Sequence, residues 1–414
     1  MSNLPIDWKF DTFENLGIQI IDGDRGNNYP KQNEFMQEGY CLFLSAKNVT
    51  KRGFEFIEKQ FISEEKDSLL RKGKLSKGDL VLTTRGTVGN VAFFNDSIKY
   101  DNIRINSGMV LLRVSDNVDN LFLYKIMTSD FIQQYIQNIA FGSAQPQLTV
   151  KEIKKFQIPL PPLEEQKKIA DILSTVDKKI AFVEENINAT EELKKGLMQK
   201  LLTEGIGHTE FKDSELGRIP ESWEIECINE LTLEHKQGYY TKDNYVEEGI
   251  YLIRITDMNN PKISYIDMPK LQISDNDYEL FKVSKGDFLF ARSGAIGRYG
   301  IVYEDIKAVF GSYIIRFVFN QNKLMNEFFG YFYESDKCLK QLNSITQGSS
   351  NININANNIK SLKLALPQLE EQKQIVEILS TVDKKLENLK EKKESFEELK
   401  KGLMQKLLTG EVRV

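Results

Sequence analysis

Histidine and cysteine are scarce in this chain, at two and three residues in 414. His208 and His235 alone cannot build a metal cluster, and Cys41, Cys227 and Cys338 lie far apart with no paired spacing. Zinc modules and disulfide frameworks are therefore excluded, and the cysteines read as buried thiols of a reducing cytosol. No apolar run approaches the 18 or so residues of a membrane span, and Met1-Ser2-Asn3-Leu4-Pro5 does not read as a signal peptide, so a cytoplasmic protein is expected. Basic excess is missing too: Lys and Arg number 55 against 60 Asp and Glu, a net charge of −5. If such a chain holds nucleic acid, its cations must be clustered locally, or a partner must supply much of the phosphate contact.

Catalytic signatures are also absent. There is no phosphate-cradling Gly-x-x-x-x-Gly-Lys loop and no Asn/Asp-Pro-Pro-aromatic tetrapeptide of amino-methyltransferases. Glu152-Ile153-Lys154 and Glu192-Leu193-Lys194 resemble the Glu-x-Lys part of nuclease sites, but no partner acid accompanies them. A non-catalytic chain with no cofactor or metal of its own is expected.

What is present is a long helix that occurs twice. Leu163-Glu164-Glu165-Gln166-Lys167 returns as Leu369-Glu370-Glu371-Gln372-Lys373, and Glu191–Thr203 returns as Glu397–Thr409. The offset is constant (369 − 163 = 206; 409 − 203 = 206), which signals duplication of a whole module. Pro161 and Pro162, then Glu164 and Glu165, mark a helix start; Pro367, Glu370 and Glu371 mark the other. Apolar residues at alternating spacings of three and four follow: Ile169, Leu173, Val176, Ile180, Val183, Ile187, and Ile375, Leu379, Val382, Leu386, Leu389. That pattern predicts two coiled-coil rods of roughly 60 Å each. The polar stretch after Thr203 spans at most about 50 Å when extended, too little to return along a rod, so antiparallel rods are expected. The predicted fold class is α+β: two globular α+β domains separated by two long antiparallel coiled-coil helices, a pseudo-twofold internal repeat. The expected boundaries are 1–157, a rod at 158–205, a linker at 206–218, a second domain at 219–363 and a rod at 364–414.

The globular domains share landmarks and differ in their loops. Both open on Trp, at Trp8 and Trp223. A polar loop with Arg25, Asn27, Asn28, Tyr29 and Lys31 matches one with Lys236, Tyr239, Tyr240 and Lys242, and strands follow near Lys47 and Arg254. Lys77-Gly78-Asp79 and Lys285-Gly286-Asp287 each read as a turn feeding an apolar strand. Glycine-rich segments come next, with Thr84, Arg85 and Thr87 in one and Arg292, Ser293 and Arg298 in the other. Helical stretches are expected at 121–137 and 325–342, followed by polar runs with Gln145 and Gln147, and with Asn351 and Asn353. These side chains are the candidate DNA-binding residues, because Arg, Lys, Asn, Gln and Tyr suit contact with phosphates and base edges. The alternative is that they form solvated turns.

Pro159–Gln166, Ile172–Asp177, Leu193–Leu202 and Gly217–Trp223 resemble the specificity subunit of type I restriction–modification systems, over essentially the whole chain. The resemblance implies two target-recognition domains, each reading half of a split site in double-stranded DNA, with the helices acting as a ruler. It also implies docked methyltransferase subunits, two in number, carrying S-adenosylmethionine, and restriction/translocase subunits carrying ATP and Mg²⁺. A silent specificity protein, acting only as an assembly module, is the other reading.

Overall fold

A computed structural model describes residues 4–140, 146–241, 244–292, 297–346 and 354–414. The chain divides into two compact units, Met1–Glu184 with Glu391–Val414, and Glu185–Lys390. Each unit therefore combines one globular domain, the start of the rod that follows it and the end of the other rod.

In the first unit a four-stranded antiparallel sheet runs in the order Gln19–Asp22, Met109–Arg113, Leu80–Thr83, Val91–Phe93. All of Leu80–Thr83 is buried, because both faces of this sheet are covered. Leu80 and Leu82 join Phe122, Ile126 and the rod residues Ile169 and Leu173. Val81 joins Leu42, Phe61 and Ile103 of a three-stranded sheet, Phe61–Ile62, Cys41–Phe43, Ile103–Arg104. Two covered faces explain why an unbroken apolar run, rather than an alternating one, follows Lys77-Gly78-Asp79. Burial pushes the Cys41 thiol in this second sheet up to about 12, which leaves it inert.

The second unit repeats the plan. Its sheet orders Thr232–Gln237, Ile314–Phe319, Phe288–Ala291, Tyr299–Ile301, and its three-stranded partner orders Lys270–Leu271, Ile250–Ile253, Ala308–Phe310. Phe288 and Phe290 stand where Leu80 and Leu82 stand in the first unit, and the core becomes aromatic, with Phe290 edge-on to Tyr333 at 5.0 Å. Residues 206–218, expected as a linker, include most of a two-stranded hairpin, Phe211–Ser214 paired with Gly217–Pro220.

Both expected helical stretches are split. Asn120–Met127 precedes Asp130–Ala140, and Asn326–Glu334 precedes Asp336–Thr346. The breaks fall at Ser129 and Ser335, whose hydroxyls donate to the Ile126 and Phe332 carbonyls at 2.6 Å. Serine competes for main-chain partners and favours helix starts, so it ends one helix and opens the next.

The rods are Leu163–Leu201 and Leu369–Leu408. They run antiparallel within each unit: Asp177 meets Lys400 at 2.7 Å and Glu184 meets Lys393 at 3.1 Å in the first, and Lys194 meets Asp383 at 2.7 Å in the second. The seam is shared with the domains. Ile169 and Leu173 enter the first domain's core together with Leu407 and Leu408, the end of the other rod. Ile375 and Leu379 enter the second domain's core together with Leu201 and Leu202.

The repeated Leu-Glu-Glu-Gln holds each rod on its domain. Glu165 accepts from Trp8 Nε1 at 3.2 Å, and Glu371 from Trp223 Nε1 at 2.9 Å. Buried Gln166 accepts from the Asp119 amide (2.8 Å) and donates to the carbonyls of Asn117 (3.0 Å) and Pro161 (2.9 Å). Buried Gln372 accepts from the Met325 amide and donates to the Lys323 and Pro367 carbonyls at 2.9, 2.7 and 2.9 Å. The third contact differs: Arg413 binds Glu165 and Asp7 in the first unit, while His208 lies 2.8 Å from Glu371 in the second. A further aspartate occupies one position in both rods. Asp177 accepts a hydrogen bond from buried Lys125 in a partly buried ion pair, and Asp383 accepts from Tyr331 Oη at 2.7 Å.

Burial opposes ionisation of Asp177, but the hydrogen bonds from Lys125 and Lys400 outweigh it and hold the carboxyl below its ordinary 3.8. A depressed carboxyl stabilises the fold above its unfolded pKa and loses that contribution as pH falls through the folded value. Asp177→Asn strands Lys125, which is 5% exposed. It should cost about 2–3 kcal/mol, at or below the low end for breaking a buried pair because Asp177 is partly solvated. Asp383→Asn should cost about 1 kcal/mol, since Tyr331 is neutral and Lys194 keeps Glu334. Urea unfolding read from Trp8 in a Trp223→Phe background should show the Asp177→Asn deficit in full at neutral pH and see it vanish as the pH drops below the carboxylate range.

Candidate nucleic-acid interface

The divergent loops of each unit leave its four-stranded sheet at one end. In the first unit the chain leaves Gln19–Asp22 through Gly23, where a Cβ would lie 2.2 Å from the Asn106 carbonyl oxygen. In the second it leaves Thr232–Gln237 through Gly238, where a Cβ would lie 2.1 Å from the Gly311 carbonyl oxygen. Only glycine allows so close an approach of two backbones. Asp22 pairs with Val110 and Gln237 with Ile315, so the two loops start from equivalent points. Beyond those points most side chains differ.

In the first unit the loop is pinned by Asp24, which accepts from the amides of Gly26 and Arg71, each at 2.8 Å. Those bonds hold its carboxyl below the ordinary range. Arg25 reaches the Ser107 carbonyl at 3.3 Å and pairs with Asp22. Arg85 bonds through its amide to the Gly108 carbonyl and bridges to Gln147. Thus Arg25, Arg85 and Gln147, from three separate polar segments, gather around the turn at residues 106–108. Arg85 and Thr87 are exposed, and among the described residues Arg85 has no ion pair. Asn27 and Lys31 are exposed, and Asn28 donates to the Leu69 carbonyl. Tyr29 instead packs edge-on against Phe43, and Thr84 is buried in the sheet. Lys47 lies apart from this cluster, in an exposed pair with Glu58.

In the second unit the same end of the sheet carries tyrosines. Tyr239, Tyr240, Tyr245 and Tyr313 line an open cleft of about 620 Å³, with Asn244 and Arg254. Tyr240, Tyr245 and Tyr313 are 67, 60 and 65% exposed, unusual for rings this large. Arg254 is held by a two-pronged pair with Asp257 (3.0 and 2.7 Å). Lys236 lies over the Phe281 ring at 4.9 Å, and Arg298 donates to the Ile255 carbonyl at 3.3 Å. Gln145, Lys242, Ser293, Asn351 and Asn353 lie outside the described residues.

Strand pairing aligns the two glycine-rich segments as their sequences do: Thr83 pairs with Met109 and Ala291 with Ile314, so Arg292 corresponds to Thr84. Consistently, Thr84 and Arg292 each accept through their carbonyl from the returning run, from Leu148 at 3.0 Å and from Ile354 at 2.9 Å. Tyr313 and Tyr245 were not among the residues expected from the sequence. Tyr313 fills the place of Gly108 in the first unit, and its carbonyl accepts from the Arg292 amide at 2.8 Å.

A family model for the type I restriction modification DNA specificity domain matches residues 5–192 and again 220–398. The chain belongs to this family. The specificity-domain matches take in both loop ends and most of each rod. The type I restriction enzyme MjaVIII specificity subunit of Methanocaldococcus jannaschii is 29% identical over 389 residues, 91% of this chain and 87% of that one. The EcoBI specificity subunit of Escherichia coli is 25% identical over 358 residues, 82% of this chain and 75% of that one. The type I system S subunit from M. genitalium shares the fold, with a TM-score of 0.59, 18% identity and coverage of 99% and 97%. Among the described residues there is no cluster of groups able to hold a metal, and no helix is long and apolar enough to cross a membrane.

Arg85→Ala should flatten the salt dependence of DNA binding by about one unit of slope if Arg85 meets phosphate, and weaken binding by about 1–3 kcal/mol at one base pair if it meets a base. Tyr313→Ala should weaken binding by a similar amount with little change in salt slope, because a tyrosine carries no charge. Filter-binding titrations at several salt concentrations separate these outcomes, and unchanged curves for both variants would return the two loop ends to solvated turns.

Proposed function

We propose that this chain is the DNA-reading subunit of a type I restriction–modification complex. Residues 1–157 and 219–363 each read one half of a bipartite, asymmetric site in double-stranded DNA. The rods, 158–205 and 364–414, set the spacing of the half-sites and dock the methyltransferase subunits. The chain itself contributes no chemistry. S-adenosylmethionine, and ATP with Mg²⁺, belong to methyltransferase and restriction/translocase partners, and the complex works in the cytoplasm.

The observation that carries this reading is a contrast between the two repeats. The loop ends leave equivalent points of the same sheet through Gly23 and Gly238, yet one presents Arg25, Arg85 and Gln147 and the other presents a tyrosine cleft. Different side chains at equivalent places suit different half-sites. The rods behave in the opposite way. Glu191–Thr203 and Glu397–Thr409 are identical, and the run of exposed and buried positions from 191 to 202 recurs from 397 to 408. Leu193 and Leu399 are 51 and 49% exposed. An identical exposed surface presented twice supports two copies of one partner.

Exchanging residues 1–157 for the first domain of another specificity subunit tests the assignment of half-sites. Methylation mapping in cells carrying the exchange and the cognate partners should show one half-site replaced and the other kept. Replacement of both, or methylation that does not depend on this chain, would contradict the reading.

A further inference from the structure

An open groove of about 1030 Å³ lies in the first unit beside the end of the second rod. Leu4, Ile126, Phe131, Met404 and Leu408 line it. The second unit has the same ground plan, with Phe332, Lys337, Met198 and Leu202 at the positions 206 residues away and Ile219 in the place of Leu4. There the chain covers the face itself, with the hairpin Phe211–Ser214 and Gly217–Pro220. Leu216 at the hairpin turn packs on the same core as Met198, and its carbonyl accepts from Lys337 Nζ at 3.0 Å. Ile219 is fully buried, whereas its counterpart Leu4 is half-buried.

Among the described residues no segment covers this face in the first unit, and the local side chains have changed to match. Where the second unit has Lys337 and Glu221, the first has Phe131, 40% exposed, and Ile6, fully exposed two residues from Leu4. Exposed apolar side chains beside an open groove of mixed apolar and charged lining suit a protein contact surface. The groove is also continuous with Glu397–Thr409, since Glu397, Lys400, Lys401, Gln405 and Thr409 line it as well.

We infer that this groove takes a hairpin or extended segment of the methyltransferase subunit, which inserts an aliphatic side chain where Leu216 sits in the second unit and sets a second apolar residue against Phe131. The occupant is that subunit because the groove is an extension of the rod face on which it docks, so the inference rests on the docking role proposed above. One such segment binds per chain, which makes two otherwise matching docking faces unequal.

The test uses the full chain with its methyltransferase subunit. A photocrosslinker, p-benzoylphenylalanine, is placed at position 404 in one variant and at position 198 in another. Position 404 should crosslink to the methyltransferase subunit, and position 198 to the chain's own residues 206–220. In parallel, Phe131→Lys, which installs the residue the second unit already carries, should weaken binding of one of two methyltransferase copies about tenfold in native mass spectrometry and leave the other unchanged. If the subunit binds but position 404 crosslinks only within its own chain or to a second copy, or if Phe131→Lys leaves both copies equally tight, the groove assignment is wrong while the docking reading stands. If the methyltransferase subunit does not bind at all, both fall.

Discussion

Each rod is fixed to its domain by a buried glutamine and a carboxylate on a tryptophan indole. Gln166 and Gln372 satisfy three main-chain groups each, at the point where the domain's last strand turns into the rod. A buried amide with all these partners is rigid, since any tilt of the rod would leave polar groups unpaired at about 1–3 kcal/mol apiece. Everything downstream inherits that geometry: the rod's apolar face meets the sheet core, and the far end of the other rod closes the same core through Leu407 and Leu408 or Leu201 and Leu202.

The scaffold leaves the loop ends free to vary. The four-stranded sheet of each unit is covered on both faces at its centre, so Leu80–Thr83 and Phe288–Ala291 are buried along their whole length. The loop ends bear no such constraint beyond Gly23 and Gly238, whose missing side chains let the backbone pass Asn106 and Gly311. The two repeats therefore diverge into an arginine-bearing turn and a tyrosine cleft without disturbing the core. Even the cores differ in composition, aliphatic around Leu80 and Leu82 and aromatic around Phe288 and Phe290, because packing requires filled volume rather than particular residues.

Much of this was legible in the sequence, and the failures have definite causes. Rods and repeat were plain from the offset of 206 and the apolar spacing, and the buried strands from the runs after Lys-Gly-Asp. The breaks at Ser129 and Ser335 were signalled by Ser followed by Asp, but the apolar periodicity runs on through them. Glu165 and Gln166 read as ordinary first-turn residues, because their partners Trp8 and Asp119 are far away in the chain. The tyrosine cleft was only half visible: Tyr239 and Tyr240 sit in the loop, but Tyr313 joins them through a strand pairing more than 70 residues on.

The central claim of the proposed function is that the rods set the distance between two half-sites, each read by one of the differing loop ends. The direct measurement is a matched lengthening of both rods. Facing residues in the rods have numbers that sum to about 577, as in Asp177 with Lys400 and Lys194 with Asp383. One heptad inserted after Thr190 and one after Glu387 keeps the apolar phase and adds roughly 10 Å. At about 3.4 Å per base pair the spacer between methylated half-sites should grow by about three base pairs, with both half-sites unchanged. The original spacer, with the same half-sites methylated, would contradict the account.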